Sequence, residues 1–134
     1  KKAQNASSAV EQHVAASLLK MSYAAYSKGA SALLLSANAL AEAGGVTEAL
    51  HNEWAISAPS LLKQSQRAAQ MTSGKAWRFE GEMLEISETY SNAGLPDALH
   101  AGAAAVYERM AALKDLPPQE LEAVVAALLR QPDD

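Results

Sequence analysis

Between Ala15 and Ala43 the chain runs without a proline, and Val14, Leu18, Met21, Ala25, Leu33, Ala37 and Leu40 recur there at roughly helical spacing. That period places them along one side of an α-helix. The stretch is bounded by recognisable signals. Ser8-Ala9-Val10-Glu11 has the form of a capping box, and Gly44-Gly45 supplies a left-handed stop. A helix over residues 9–43 is therefore expected. At 1.5 Å per residue it would be about 50 Å long, more than a domain of this size is wide. One end must project or be covered by another chain, which predicts a homodimer with a helical interface.

The remaining sequence has to pack against that helix with small side chains. The chain of 134 residues contains thirty alanines and a single phenylalanine. Alanine is the best helix former, and the few β-branched residues leave little material for a sheet. The expected fold is all-α, one helical domain spanning residues 1–134. Thr47 can cap a second helix to about Ser57, and Pro59 can open a third that fades near Met71-Thr72-Ser73-Gly74. A fourth begins at Ser73 and Lys75, reaches Tyr90 and ends at Gly94. Pro96-Asp97 start a fifth that continues through Val106, Met110 and Leu113. Leu116-Pro117-Pro118 breaks the chain before a sixth helix over residues 118–130.

Composition excludes several function classes. The net charge is −4, and the eleven Lys and Arg residues are scattered, which disfavours nucleic acid as a partner. Ser31, Ser36, Asn38 and Glu42 interrupt the best candidate for a membrane span, and no secretory signal pattern is present. With no cysteine there can be no disulfide or thiolate site, and a cytoplasmic setting is expected. Glu48 and His51 have the three-residue spacing with which di-iron bundles offer carboxylate and imidazole to a metal, and Asp97 and His100 repeat it. Asp97, however, stands at an expected helix start, where capping is its commoner use. No metal site is expected. Glu80, Glu82, Glu85 and Glu88 read as a solvated face of the fourth helix.

Lys20 is the residue in the first helix that needs a reason. It lies between Leu19 and Met21 and is followed at helical spacing by Tyr23, Ala24 and Ser27. Two readings stay open from the residues alone. Lys20 can snorkel to water along apolar surface, or carry an ammonium group into a polar pocket. Tyr23 and Tyr26 are likewise open between helix packing and pocket lining, and Arg78 between pairing with Glu82 and meeting a substrate anion.

The run Leu18-Leu19-Lys20-Met21-Ser22-Tyr23-Ala24-Ala25-Tyr26-Ser27-Lys28-Gly29, continuing to Ala41-Glu42-Ala43-Gly44-Gly45-Val46, resembles the long helix that opens the C-terminal domain of the 6-phosphogluconate and β-hydroxyacid dehydrogenases. Lys75-Ala76-Trp77-Arg78-Phe79-Glu80-Gly81-Glu82-Met83, Ala93-Gly94-Leu95-Pro96-Asp97 and Ala105-Val106-Tyr107 are similar to the same group in order and spacing. The resemblance covers most of residues 15–113. It implies a six-helix domain that follows a Rossmann domain not contained in this chain. It also implies an NAD(P)-dependent oxidoreductase acting on a hydroxy acid or related alcohol, with NAD or NADP bound mainly by that other domain.

By the family's motif Lys20 is the catalytic, proton-transferring residue. The partners implied are a second copy of the chain, the Rossmann domain and a small acidic substrate. Tyr23, Ser27, Trp77 and Arg78 are the candidate substrate-binding residues. Two positions depart from the family pattern. Ala24 stands where an asparagine usually follows the lysine by one turn, and Gly81-Glu82 where the β-hydroxyacid dehydrogenases carry Lys-Asp. The alternative they favour is a stand-alone helical dimerisation or interaction module without redox activity. An imine-reducing relative ranks behind both, because Lys20 suits an alcohol or carbonyl substrate.

Overall fold

The computed structural model describes residues 2–131, with side chains from Ser8 onward. Six α-helices and one short 3-10 turn follow one another: α1 (Lys2–Ala43), α2 (Thr47–Ser57), α3 (Leu61–Thr72), α4 (Ala76–Asn92), α5 (Ala98–Arg109), the turn Ala111–Leu113, and α6 (Leu121–Leu129). No strand occurs among the described residues. The expected all-α architecture is what forms.

The body is a bundle built on the C-terminal half of α1. α4 and α5 form the most extensive helix pair, and α3, α5, α6 and α4 each pack on α1. Met21, Ala25, Lys28, Ala32, Leu35 and Ala39 advance by alternate steps of four and three, the seven-residue repeat that keeps one seam facing its neighbours. Ala25, Ala32, Leu35 and Ala39 are buried in that seam against Ala69, Met83, Ile86, Ala104, Tyr107 and Val124. Small residues on α1, α3 and α5 permit close approach, while Phe79 and Tyr107 meet edge-on with ring centroids 5.4 Å apart.

The same seam continues through Leu18 and Val14 beyond the point where the bundle ends; its next position is Glu11, with Val10 beside it. Leu18, Val14 and Val10 are 48%, 51% and 63% exposed, and every described residue from Ser8 to Lys20 is exposed. A second stripe, Leu19, Tyr26, Leu33 and Leu40, recurs every seven residues on another side of α1 and is also open to solvent.

Helix stops follow the sequence more closely than helix starts. Gly45 adopts φ +70, and the Val46 amide donates back to the Ala41 carbonyl at 2.9 Å, closing α1 as a Schellman motif. Gly94, at φ +77, ends α4 in the same way, with the Leu95 amide donating to Tyr90 at 2.9 Å.

The expected start at Ser8 is not one: α1 begins at Lys2, so Ser8 and Glu11 lie inside the helix. Ala3, Ala6 and Ala9 continue the alanine spacing upstream, and their propensity outweighs a local capping signal. Thr47 does not cap α2 either. Its hydroxyl donates to the Glu42 carboxylate at 2.5 Å, tying α2 to the end of α1. Pro59 lies in the turn before α3, where the Leu61 amide donates to Ala58 at 3.0 Å. Ser73 follows α3 and precedes α4. Its buried hydroxyl accepts the Gln119 amide at 3.0 Å, and α6 starts at Leu121 after the extended Pro117–Glu120 segment. Each proline pushes the residue before it toward extended backbone, and the helix follows that segment.

Candidate functional site

Lys20 stands where α1 leaves the bundle. The next residue, Met21, is half-buried, and its sulfur accepts the Thr89 hydroxyl of α4 at 3.2 Å. Further along, Lys28 forms an ion pair with Glu82 of the same helix. These two contacts run α1 and α4 antiparallel, with Met21 level with the C-terminal end of α4. Lys20 is exposed, with Tyr23 and Ser27 exposed beside it. Lys20 and Ser27 lie close to one line of the helix surface, and Tyr23 is offset by about a sixth of a turn.

Trp77 and Arg78 occupy the opposite end of α4. Measured from Thr89, they lie roughly 17 Å along the axis at about 1.5 Å per residue. The chain thus places Lys20, Tyr23 and Ser27 together and sets Trp77 and Arg78 apart from them. Trp77 is 44% exposed and carries the Lys114 ammonium 4.3 Å from its ring centroid. Arg78 is exposed, and of its two open readings the pairing with Glu82 is not the one formed, because Glu82 turns to Lys28. Tyr23 and Tyr26, at 77% and 79% exposure, do not pack onto the bundle.

The lysine with a constructed environment in this chain is Lys28. It takes a seam position of α1, pairs with Glu82, and its ammonium lies 4.4 Å from the Phe79 ring centroid. The Tyr107 hydroxyl donates to the Lys28 carbonyl at 2.5 Å. Burial, reinforced by the Glu82 carboxylate, pushes the Tyr107 phenol above its ordinary pKa. Lys28 was legible in principle: Met21, Ala25, Lys28, Ala32 and Leu35 place a charge on the buried seam, which requires a partner on the facing helix.

Two further polar groups lie under the bundle surface. Asn38 is buried on α1, and its amide donates to Leu34 O at 2.9 Å and to Ser65 Oγ at 3.0 Å. Its Oδ1 therefore accepts from His51 Nε2 at 2.8 Å. This bond commits His51 to α1 and not to Glu48. The other is His100 of α5, 6% exposed, whose Nε2 lies 2.9 Å from the Ala25 carbonyl. The Asp97 side chain makes no capping bond, although the Asp97 carbonyl accepts the Ser87 hydroxyl at 2.8 Å. Among the described residues no three His, Cys, Asp or Glu side chains converge to hold a metal.

His100 lines a cavity of about 620 Å³ between α1 and α5. Its α1 wall includes Ser22, Tyr26, Gly29 and Leu33, roughly half a turn round the helix from Lys20. Gly29 has a local purpose: a Cβ there would lie 3.1 Å from His100 Nε2. Its absence admits the imidazole against α1. The lysine surface and the α1–α5 cavity are accordingly separate features of one helix.

An all-helical domain with a projecting first helix and a lysine at its root is the class these observations define. Residues 41–110, just over half of the chain, match the family described as Domain of unknown function (DUF1932), and the chain belongs to that family. No curated protein and no solved structure matches it. No helix among the described residues is long and apolar enough to cross a membrane.

Proposed function

We propose that this chain is the C-terminal substrate-binding and dimerisation domain of an NAD(P)-dependent oxidoreductase of the 6-phosphogluconate and β-hydroxyacid dehydrogenase type. Lys20 transfers a proton to or from the hydroxyl of a hydroxy acid or related alcohol. The observation that carries this reading is the place of Lys20 on α1. It lies at the boundary between a half-helix whose apolar seam is uncovered and a half-helix whose seam is buried. A second domain seated on Val10, Val14 and Leu18 would bring its surface over Lys20 and partly remove it from water. Membership of a family whose domains occur at the C-terminus of 6-phosphogluconate dehydrogenase-like proteins supports the same reading.

When bound, mainly by the other domain, a nicotinamide cofactor would supply the hydride acceptor for the alcohol carbon. Lys20, in its amine form, takes the hydroxyl proton and returns it in the reverse direction. Tyr23 and Ser27 would offer hydroxyls on the same stretch of helix. Arg78 is too far along α4 to meet the same small substrate within one chain. It enters the proposal as a contact to substrate only if a second copy brings it to another chain's Lys20. The absence of cysteine suits a cytoplasmic setting.

The test uses the native polypeptide containing this domain, assayed with NAD and NADP against a panel of small hydroxy acids. Lys20→Ala is expected to lower kcat/KM by about a hundredfold or more, with unchanged helical content. Lys20→Arg keeps the charge and is expected to fail as a proton acceptor. Turnover that survives both substitutions overturns the assignment.

The stripe Leu19, Tyr26, Leu33 and Leu40 supports the second part of the reading and, taken alone, favours a dimerisation module without redox work. Leu33→Glu with Leu40→Glu is expected to turn a dimer into a monomer in analytical ultracentrifugation, without unfolding the bundle. A wild-type chain that sediments as a monomer at high concentration removes self-association from the proposal.

A further inference from the structure

We infer that the α1–α5 cavity is a second binding site, for an uncharged and largely apolar small molecule bearing one hydroxyl or N–H donor, with His100 Nδ1 as the acceptor.

The inference begins with the protonation of His100. The group facing its Nε2 is the Ala25 carbonyl, which can only accept, so Nε2 carries the hydrogen. In the neutral ring Nδ1 then holds a lone pair. That atom is buried and has no hydrogen-bond partner, and it is the only such side-chain atom found among the described residues. Buried polar atoms are almost always satisfied, by protein, water or ligand. An acceptor left open beside a cavity is a specific request for a donor.

The cavity fixes the rest of the ligand's chemistry. Its volume, about 620 Å³, lies in the range of small-molecule sites. Most of its wall is aliphatic, from Ala25, Ala32, Leu33, Leu99, Ala103 and Val106. None of the described lining residues carries a formal charge, which disfavours an anion or a cation. Tyr90 lines the same cavity, and its ring lies 4.8 Å from the imidazole at a tilt of 33°. Nδ1 itself has no open surface, so the inference includes a displacement of the Tyr90 ring that lets a ligand in the cavity reach it. The site stands apart from the proposed catalytic surface, since its α1 residues lie roughly half a turn from Lys20, and it does not depend on the redox reading. It shares Tyr26 and Leu33 with the stripe proposed for dimerisation, so ligand and a second copy would compete for that wall.

Titration of the full chain with β-naphthol and with its methyl ether tests the inference, because the pair differs by the donor alone. The naphthol is expected to bind about tenfold more tightly than the ether, the worth of one hydrogen bond to a buried acceptor. The 15N resonance of His100 Nδ1 should move with the naphthol and stay in place with the ether. His100→Phe keeps a ring in the same place and removes both nitrogens, so it should abolish the preference while leaving ether affinity unchanged.

Gly102→Leu serves as the blocking variant. A Cβ at Gly102 meets no atom within 4 Å, so the leucine grows into open cavity on an exposed helical position. It should keep the fold and lose both ligands. Equal affinity for naphthol and ether would overturn the inference and leave a greasy groove or a bound water at Nδ1. Gly102→Leu that dissociates a dimer, with neither ligand binding to the wild type, would also overturn it, by assigning the cavity to a second copy.

Discussion

Residues 8–20 and residues 21–43 belong to one helix and share one seven-residue pattern, yet only the second stretch is covered. Leu35 is fully buried in the bundle, while Leu18, at an equivalent seam position, is half open to water. Backbone hydrogen bonding is the same in both halves, and alanine supports both. What differs is tertiary: α3, α4, α5 and α6 reach the second half alone. The lesson concerns what a seam signifies. A periodic apolar stripe states that something packs there, and it does not state whether the partner is the same chain. Lys20 and Lys28 make the same point with charge. Lys28, on the covered half, has an anion and an aromatic ring beside it; Lys20, at the edge of the uncovered half, is exposed.

The sharpest way to break this comparison is to delete equal side chains from the two halves. Leu35→Ala removes a buried side chain from a close-packed core and should cost about 2–5 kcal/mol, measured by urea denaturation. Leu18→Ala should cost well under 1 kcal/mol in the isolated chain, because little area returns to water. The comparison sharpens when Leu18→Ala is repeated in a larger native polypeptide. A cost that rises toward the Leu35 value locates the missing cover on the Val14–Leu18 seam. Equal costs in the isolated chain would show that residues 8–20 are already packed by self-association.

A smaller effect belongs to the lock that holds Lys28 in place. Tyr107→Phe removes the hydroxyl bond to the Lys28 carbonyl and should cost about 0.5–1.5 kcal/mol at neutral pH. Its pH dependence has a defined sign. The folded-state pKa of Tyr107 is raised, by burial first and by Glu82 second. The unfolded chain therefore releases the phenol proton first, near pH 10, while the folded chain still binds it. The tyrosine's contribution is complete below that range and is lost as pH rises above it. Thermal unfolding followed from pH 8 to pH 11 should show wild-type stability falling more steeply than that of Tyr107→Phe. Parallel curves would mean that Tyr107 ionises equally in both states.

Much of this architecture was legible in the chain, and the misses share a cause. The all-α fold, the order of the helices and the stops at Gly45 and Gly94 follow from alanine content, apolar period and the left-handed tolerance of glycine, all of which are local. α2 starts at Thr47 and α4 just after Lys75, as expected; what the sequence misassigns is the role of Thr47, Pro59 and Ser73, because each of these residues is engaged elsewhere. Thr47 bonds Glu42, Pro59 shapes a turn, and Ser73 holds the chain at Gln119. The candidate site divides in the same way. The grouping of Lys20, Tyr23 and Ser27 is a helical-wheel property of one segment. The distance of Trp77 and Arg78 from them depends on α4 running antiparallel to α1, which no local pattern encodes. His100 gave no signal beyond its three-residue spacing from Asp97, because its environment is assembled from Ala25, Gly29 and Tyr90 on two other helices.

The smallest predicted effect tests the least conspicuous claim, that the uncovered half of α1 is helical well upstream of Ser8. If Ser8 capped the helix, its hydroxyl would satisfy an orphan amide, and Ser8→Ala would cost about 1 kcal/mol with visible fraying. With α1 beginning at Lys2, Ser8 occupies a helix interior, where serine is a weaker helix former than alanine by a few tenths of a kcal/mol. Ser8→Ala should then leave the urea midpoint unchanged and raise the helical circular dichroism slightly. The sign of that change separates the two cases even though its size is small. A loss of helicity on removing the hydroxyl would return the start of α1 to residue 9. It would shorten by about two turns the uncovered arm on which a docked partner would sit, and leave Val10 within a frayed first turn.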